Sequence, residues 1–197
     1  EIWVVSESLL RGSENLGGLD FGPFVTLFDE PDFPRTCFHT VAFGDIEGDG
    51  DLDVFQQIGG WYPGDAYGNA LFENPGFDRH WLAVRLEGRQ SNRSAIGARI
   101  RVEFTEGGTA RVVHQRIGSG GSFGCNPLRA HIGLGAATRV DRLEVYWPTT
   151  GQTERFSGIE SDRLVELVEG AGKLTHRVLS PAPFQGDAKQ PVSRVER

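Results

Sequence analysis

Ala98-Arg99-Ile100-Arg101-Val102-Glu103-Phe104 alternates small or apolar residues with charged ones without a break. A strand turns successive side chains to opposite faces, so this run buries one face and wets the other, the pattern of a half-buried strand in an antiparallel sheet. Glu106-Gly107-Gly108-Thr109 comes next, and Ala110–Ile117 is strand-like again, so the two runs read as a hairpin with glycines at its turn. Leu143, Val145 and Trp147 alternate with Arg142, Glu144 and Tyr146 in the same way. Working outward, strands are expected at Ile2–Val5, Phe24–Phe28, Cys37–Phe43, Leu52–Ile58, Trp81–Glu87, Leu128–Leu134 and Leu164–Val168. No window carries a 3.6-residue apolar stripe of helix length. Short strands at this spacing predict a sandwich or propeller-like, all-β fold with little helix.

Composition agrees. At 38% hydrophobic and 10% aromatic the 197 residues hold enough apolar material for a core, and 27 glycines are about twice the usual share, which suits many tight turns. No apolar run approaches the roughly 18 residues of a membrane span. The net charge of −7 lacks the basic patch of a nucleic-acid binder. The chain holds no Met and begins at Glu1, so it is expected to be a processed or excised piece. Cys37 and Cys125, the two cysteines, either form one disulfide or stand as two small buried hydrophobes.

The charge is concentrated. Residues 36–78 contain no Lys or Arg and eight acids, a net −8, which leaves 20 bases against 19 acids elsewhere. The centre of this island is Asp45-Ile46-Glu47-Gly48-Asp49-Gly50-Asp51-Leu52-Asp53. Acids at every second position would stack like charges on one face of a continuous strand. Gly48 and Gly50 let the backbone curl instead, so the carboxylates converge and call for a cation. Ca²⁺ suits an all-oxygen, flexible donor set, whereas Zn²⁺ prefers His or Cys and Mg²⁺ demands stricter geometry. An EF-hand is excluded, because its twelfth position requires Glu and here holds Gln56, between strand-like flanks. The expected site is a strand–loop–strand calcium centre in which Asp45, Glu47, Asp49 and Asp53 supply carboxylates and Asp51 a main-chain oxygen.

Phe43-Gly44-Asp45 through Asp53 resembles the calcium-binding repeat called FG-GAP or VCBS, although that pattern has Asp or Asn where this chain has Glu47. Beyond it come Gly59-Gly60-Trp61-Tyr62-Pro63-Gly64-Asp65, Asn69–Gly76, His80–Leu86, Ser91-Asn92-Arg93, Ile96–Arg99, Gly118–Gly124, Ile132-Gly133-Leu134-Gly135 and Val145-Tyr146-Trp147-Pro148. This series resembles the ASPIC/UnbV domain of cartilage-acidic-protein-like proteins, over about residues 38–170. The resemblance implies a secreted, calcium-binding protein without assigned catalysis. It also implies several repeats in a propeller, so a single repeat is expected to be completed by missing repeats, or by the first 40 residues and a neighbouring molecule. The expected organisation is an irregular segment over 1–36, one propeller-blade-like calcium repeat over 37–78, an antiparallel sandwich-like β domain over 79–172, and a proline-containing tail over 173–197.

The expected function is an extracellular, non-enzymatic, structural or adhesive module. Its partners are other copies of itself, joined by strand or tail exchange, or an extracellular protein or glycan. A second expectation is calcium-dependent carbohydrate binding through Trp61, Tyr62 and Asp65. Gly120-Gly121-Ser122-Phe123-Gly124 matches a hydrolase nucleophile elbow, but a strand follows Ser122 where the elbow requires a helix. Asn92-Arg93-Ser94 is a glycosylation sequon read here as a polar loop. His39, His80, His114, His131 and His176 form no close-spaced ligand pair and are assigned structural roles.

Overall fold

A computed structural model of the chain describes residues 2–6, 9–13, 15–17, 20–21, 25–26, 38–60, 63, 68–74, 78–120 and 127–179, with side chains from Thr40 onward. These residues form strands and loops with no helix, as the alternation predicts. Near the N-terminus β1 (Ile2–Ser6), β2 (Leu9–Ser13) and β5 (Val25–Thr26) make one small sheet, and β3 (Asn15–Gly17) pairs with β4 (Asp20–Phe21). A three-stranded antiparallel blade comes next, from β6 (Phe38–Gly44), β7 (Asp53–Ile58) and β8 (Ala70–Phe72).

The rest is a sandwich. Its first sheet has the order β11 (Thr109–Arg116), β10 (Arg99–Glu106), β13 (Arg139–Tyr146), β14 (Thr153–Glu160). Its second has the order β12 (Ala130–Gly135), β9 (His80–Glu87), β15 (Arg163–Val168), β16 (Leu174–Arg177). The hairpin is found where the sequence places it: Glu106 faces Thr109, and Gly107 and Gly108 have φ of 55° and 81°. Two consecutive positive φ values define a type I′ turn, whose twist matches that of the flanking strands. The second sheet is mixed, because β9 and β15 run parallel while its other pairs are antiparallel. The first strand of the expected tail, Leu174–Arg177, closes this sheet by pairing with β15.

The alternating residues meet in the middle. Ile100, Val102, Phe104, Leu143 and Val145 of one sheet and Leu82, Val84, Leu86, Ile132, Leu134, Val165 and Leu167 of the other form one buried cluster. Trp147 closes one end, fully buried, with its indole N–H donating to Glu154 at 2.7 Å. At the same end Glu169, 5% exposed, follows β15 and gathers the loop after β9. One of its oxygens accepts from the backbone N–H groups of Arg89, Gln90 and Ser91 at 2.8, 2.8 and 2.7 Å. The other accepts from the Ser91 and Thr150 hydroxyls at 2.9 and 3.3 Å. Burial pushes a carboxyl's pKa up, but the Ser91 and Arg89 amides, the Ser91 hydroxyl and the Gln90 amide outweigh it and hold Glu169 at about 2 against an ordinary 4.5. In the same loop the Asn92 side chain accepts from the Ile96 amide at 2.9 Å and donates to the Ile96 carbonyl at 2.8 Å, which makes the sequon asparagine a loop staple.

β9 is buried on both faces over its first half. Leu82 and Val84 point into the sandwich, while Trp81 and Ala83 point out of it and are still buried, in a second cluster with Leu164 and Leu179. The outer cover over Trp81 includes the acidic loop.

Candidate functional site

Gly44 and Asp53 are the last paired residues of the β6–β7 hairpin, so the loop between them carries four of the five acids. Gly48 and Gly50 have φ of 77° and 99°, and the backbone curls at both as expected. Asp53 acts as the loop's staple: one oxygen accepts from the Ile46 amide at 2.9 Å and the other from the Asn74 amide at 3.0 Å. This bond between β7 and the segment after β8 sets the loop's entry and exit. Asp49 closes a tighter turn by accepting from the Asp51 amide at 2.9 Å.

The remaining carboxylates are less comfortable. Burial, a hydrogen bond with Asp53, and the Asp53 and Asp49 charges push the Glu47 carboxyl up to about 7 from an ordinary 4.5. Burial, then the charges of Asp49, Asp45, Asp53 and Asp162, pushes Asp51 upward as well. The Asp45 side chain is 1% exposed, its Oδ2 lies 3.9 Å from an Arg129 nitrogen, and its buried Oδ1 has no hydrogen-bond partner. A buried oxygen in this state costs roughly 1–3 kcal/mol unless something satisfies it. Among the described residues no set of three acidic, His or Cys side chains is gathered closely enough to hold a metal ion with the side chains as they stand. The loop therefore offers oxygen donors of the kind calcium takes, one of them orphaned, on carboxylates that repel one another.

The sandwich supplies the other wall. Gly50 lies against Trp81 so closely that a Cβ at this position would overlap the indole Cε2 and Nε1 atoms. Trp81 stacks on His131 with ring centroids 5.5 Å apart and planes 18° from parallel. The His131 imidazole is held toward its neutral form, by burial first and the Arg129 charge second, with Asp45 opposing, and its buried Nδ1 has no partner. At the start of β9, Asp162 accepts from the Trp81 amide at 3.2 Å and contacts His80 Nδ1 at 2.7 Å. Trp81, Arg129, His131 and Asp162 lie 28 or more positions from the acidic loop they adjoin, and nothing in the local spacing marks them. His131 has the structural role the sequence suggests, now as a stacking partner.

Gly50→Ala tests this docking. The positive φ strains an L-residue and the methyl displaces Trp81, so the variant is expected to lose about 2 kcal/mol in urea denaturation and to change the near-UV circular dichroism of tryptophan. An unchanged spectrum and midpoint would show that the loop does not rest on Trp81.

Trp61, Tyr62, Asp65, Ser122, Cys37 and Cys125 lie outside the described residues. No FG-GAP or VCBS repeat is detected in the chain. No curated protein matches it. Residues 88–174 match the family model described as ASPIC and UnbV. The match omits β9, although β9 is an inner strand of the second sheet, flanked by β12 and β15. The matched stretch runs from the loop after β9 to the first residue of β16.

Proposed function

We propose that this chain is an extracellular, non-enzymatic, structural or adhesive module in which a calcium ion, held by the FG-GAP-like loop, fastens the blade to the sandwich. Asp45, Glu47, Asp49 and Asp51 would hold the ion, with Asp53 keeping the loop closed around it. The cation would neutralise mutual repulsion and occupy the lone pairs that no protein donor satisfies. The observation that carries this reading is the Asp45 carboxylate, buried at 1% exposure with an oxygen left unpartnered. Its partners are other copies of the chain or an extracellular protein or glycan. Edge strands support the self-association version: among the described strands β11 and β14 border one sheet and β12 and β16 the other, and a bordering strand is where an added strand would pair.

Thermal melts in calcium and in chelator test the metal. Binding to the folded state alone should stabilise by about 2.7 kcal/mol at a hundredfold excess over Kd. Coincident melts would remove the calcium assignment, and size-exclusion chromatography showing monomers at all concentrations would remove self-association.

A further inference from the structure

A cavity of about 200 Å³ opens where the blade meets the sandwich. Phe43 and Leu52 line it from the two ends of the acidic hairpin, and Ile117 and Pro127 add apolar walls. Arg116 and Arg129 line it as well, with the Gln115 amide and the His131 ring. Among the described residues no carboxylate lines it, although the protein as a whole carries −7 and five acids lie in the adjoining hairpin.

The two guanidinium groups are under-committed. Arg116 makes no ion pair among the described residues, and the single pair of Arg129 is the 3.9 Å approach to Asp45. The contrast with a second groove, on the outer face of the β12–β9–β15–β16 sheet, is direct. There Arg85 and Arg177 also face a cleft, but both are paired with Glu166, at 3.5 and 3.1 Å, and Glu87 lines the cleft as well, so carboxylates already stand among its cations. A planar guanidinium presents a fork of N–H donors that matches a carboxylate's two oxygens, and such charge-assisted pairs are the stronger class of hydrogen bond. The apolar walls give the ligand a body as well as a charge. The volume lies below the roughly 300–1,000 Å³ of drug-sized pockets, which sets the body at about ten non-hydrogen atoms.

We propose that this junction cavity binds a small organic carboxylate with a compact ring body, its carboxylate held by Arg116 and Arg129 and its ring by Phe43, Leu52, Ile117 and Pro127. The site is built from both modules, so its occupant bridges them. It stands on the two arginines and does not depend on the calcium reading.

Isothermal titration of the whole chain, in calcium, with benzoate and glucuronate tests it, using benzyl alcohol and glucose as neutral counterparts and inorganic phosphate as an anion without a body. At least one carboxylate is expected to bind with a Kd of roughly millimolar or tighter, about tenfold better than its neutral counterpart and than phosphate. Arg116→Gln and Arg129→Gln should each weaken it about fivefold or more. Arg116→Gln touches no ion pair among the described residues and should melt with the wild type, so it serves even if Arg129→Gln loosens the acidic loop. Neutral compounds binding as well as carboxylates, phosphate binding as tightly as both, no saturation by either carboxylate, or arginine variants that bind like the wild type would each overturn the proposal. Repeating the titration in chelator separates the two readings: carboxylate binding that persists while calcium gives no thermal shift sinks the metal alone.

Discussion

Glu169→Ala is expected to destabilise the protein by about 3–5 kcal/mol, measured by urea denaturation at neutral pH. Three successive backbone N–H groups, of Arg89, Gln90 and Ser91, converge on one oxygen of this buried carboxylate, and the Ser91 and Thr150 hydroxyls on the other. Removing the acceptor leaves amides with no replacement in the protein, at roughly 1–3 kcal/mol for each that stays dry. Water entering the space offsets part of that sum. The same carboxylate has a pH signature. Its folded pKa is depressed to about 2 from 4.5, so its contribution is fully present above 4.5 and is lost as pH falls from there through about 2. Glu169→Gln should flatten that part of the acid limb, since an amide does not titrate there. A wild-type stability curve that is level between pH 5 and pH 2, or an alanine variant within about 0.5 kcal/mol of wild type, would show that the loop after β9 is held by other means.

Asp45→Asn is expected to change sign with the metal. In chelator the substitution removes a buried charge whose nearest cation, Arg129, stands 3.9 Å away, and relieves the repulsion felt by Asp51. The variant should be more stable than wild type by about 1–2 kcal/mol, because an amide is far cheaper to bury than a carboxylate with one long ion pair and one unpartnered oxygen. In calcium the order should reverse, since the variant loses a charged ligand and with it much of the roughly 2.7 kcal/mol of binding stabilisation at a hundredfold excess. Paired thermal melts read both arms. A variant less stable than wild type in chelator would mean that Asp45 is satisfied as it stands, through Arg129, and that the loop is an internal ion-pair device.

These two carboxylates also mark where local pattern stops being informative. Asp45 belongs to a dense acidic run, and its spacing with Gly48 and Gly50 announces a curled, oxygen-rich loop. Glu169 lies in Val168-Glu169-Gly170, which resembles any strand end, and its amide donors are about 80 positions earlier in the chain. Asp53 shows a partial reading: it is one of five regularly spaced acids, but only the β7–β8 pairing brings the Asn74 amide to it and makes it a staple. The strand β14 escapes the alternation because Thr153–Glu160 is an edge among the described strands, with Gly158 at φ 69° and one buried apolar residue, Ile159. An edge strand buries little, so it need not alternate.

By itself the sequence determined the period-2 strands, the place of the Gly107-Gly108 hairpin turn, the curled acidic loop and the resemblance of the later chain to ASPIC/UnbV domains. Each of these is local: it follows from which side chains alternate, which residues tolerate a positive φ, and which charges are neighbours along the backbone. The tertiary structure alone decided that β9 runs parallel to β15, that the outer face of β9 is buried at Trp81, and that Gly50 rests on that indole. It also placed Arg129 and His131 beside Asp45 and opened a cavity whose described lining includes no carboxylate, next to the most acidic stretch of the chain. Those facts depend on which sheet faces pack together, a choice made by the summed burial of distant apolar residues, which no nearest-neighbour pattern records.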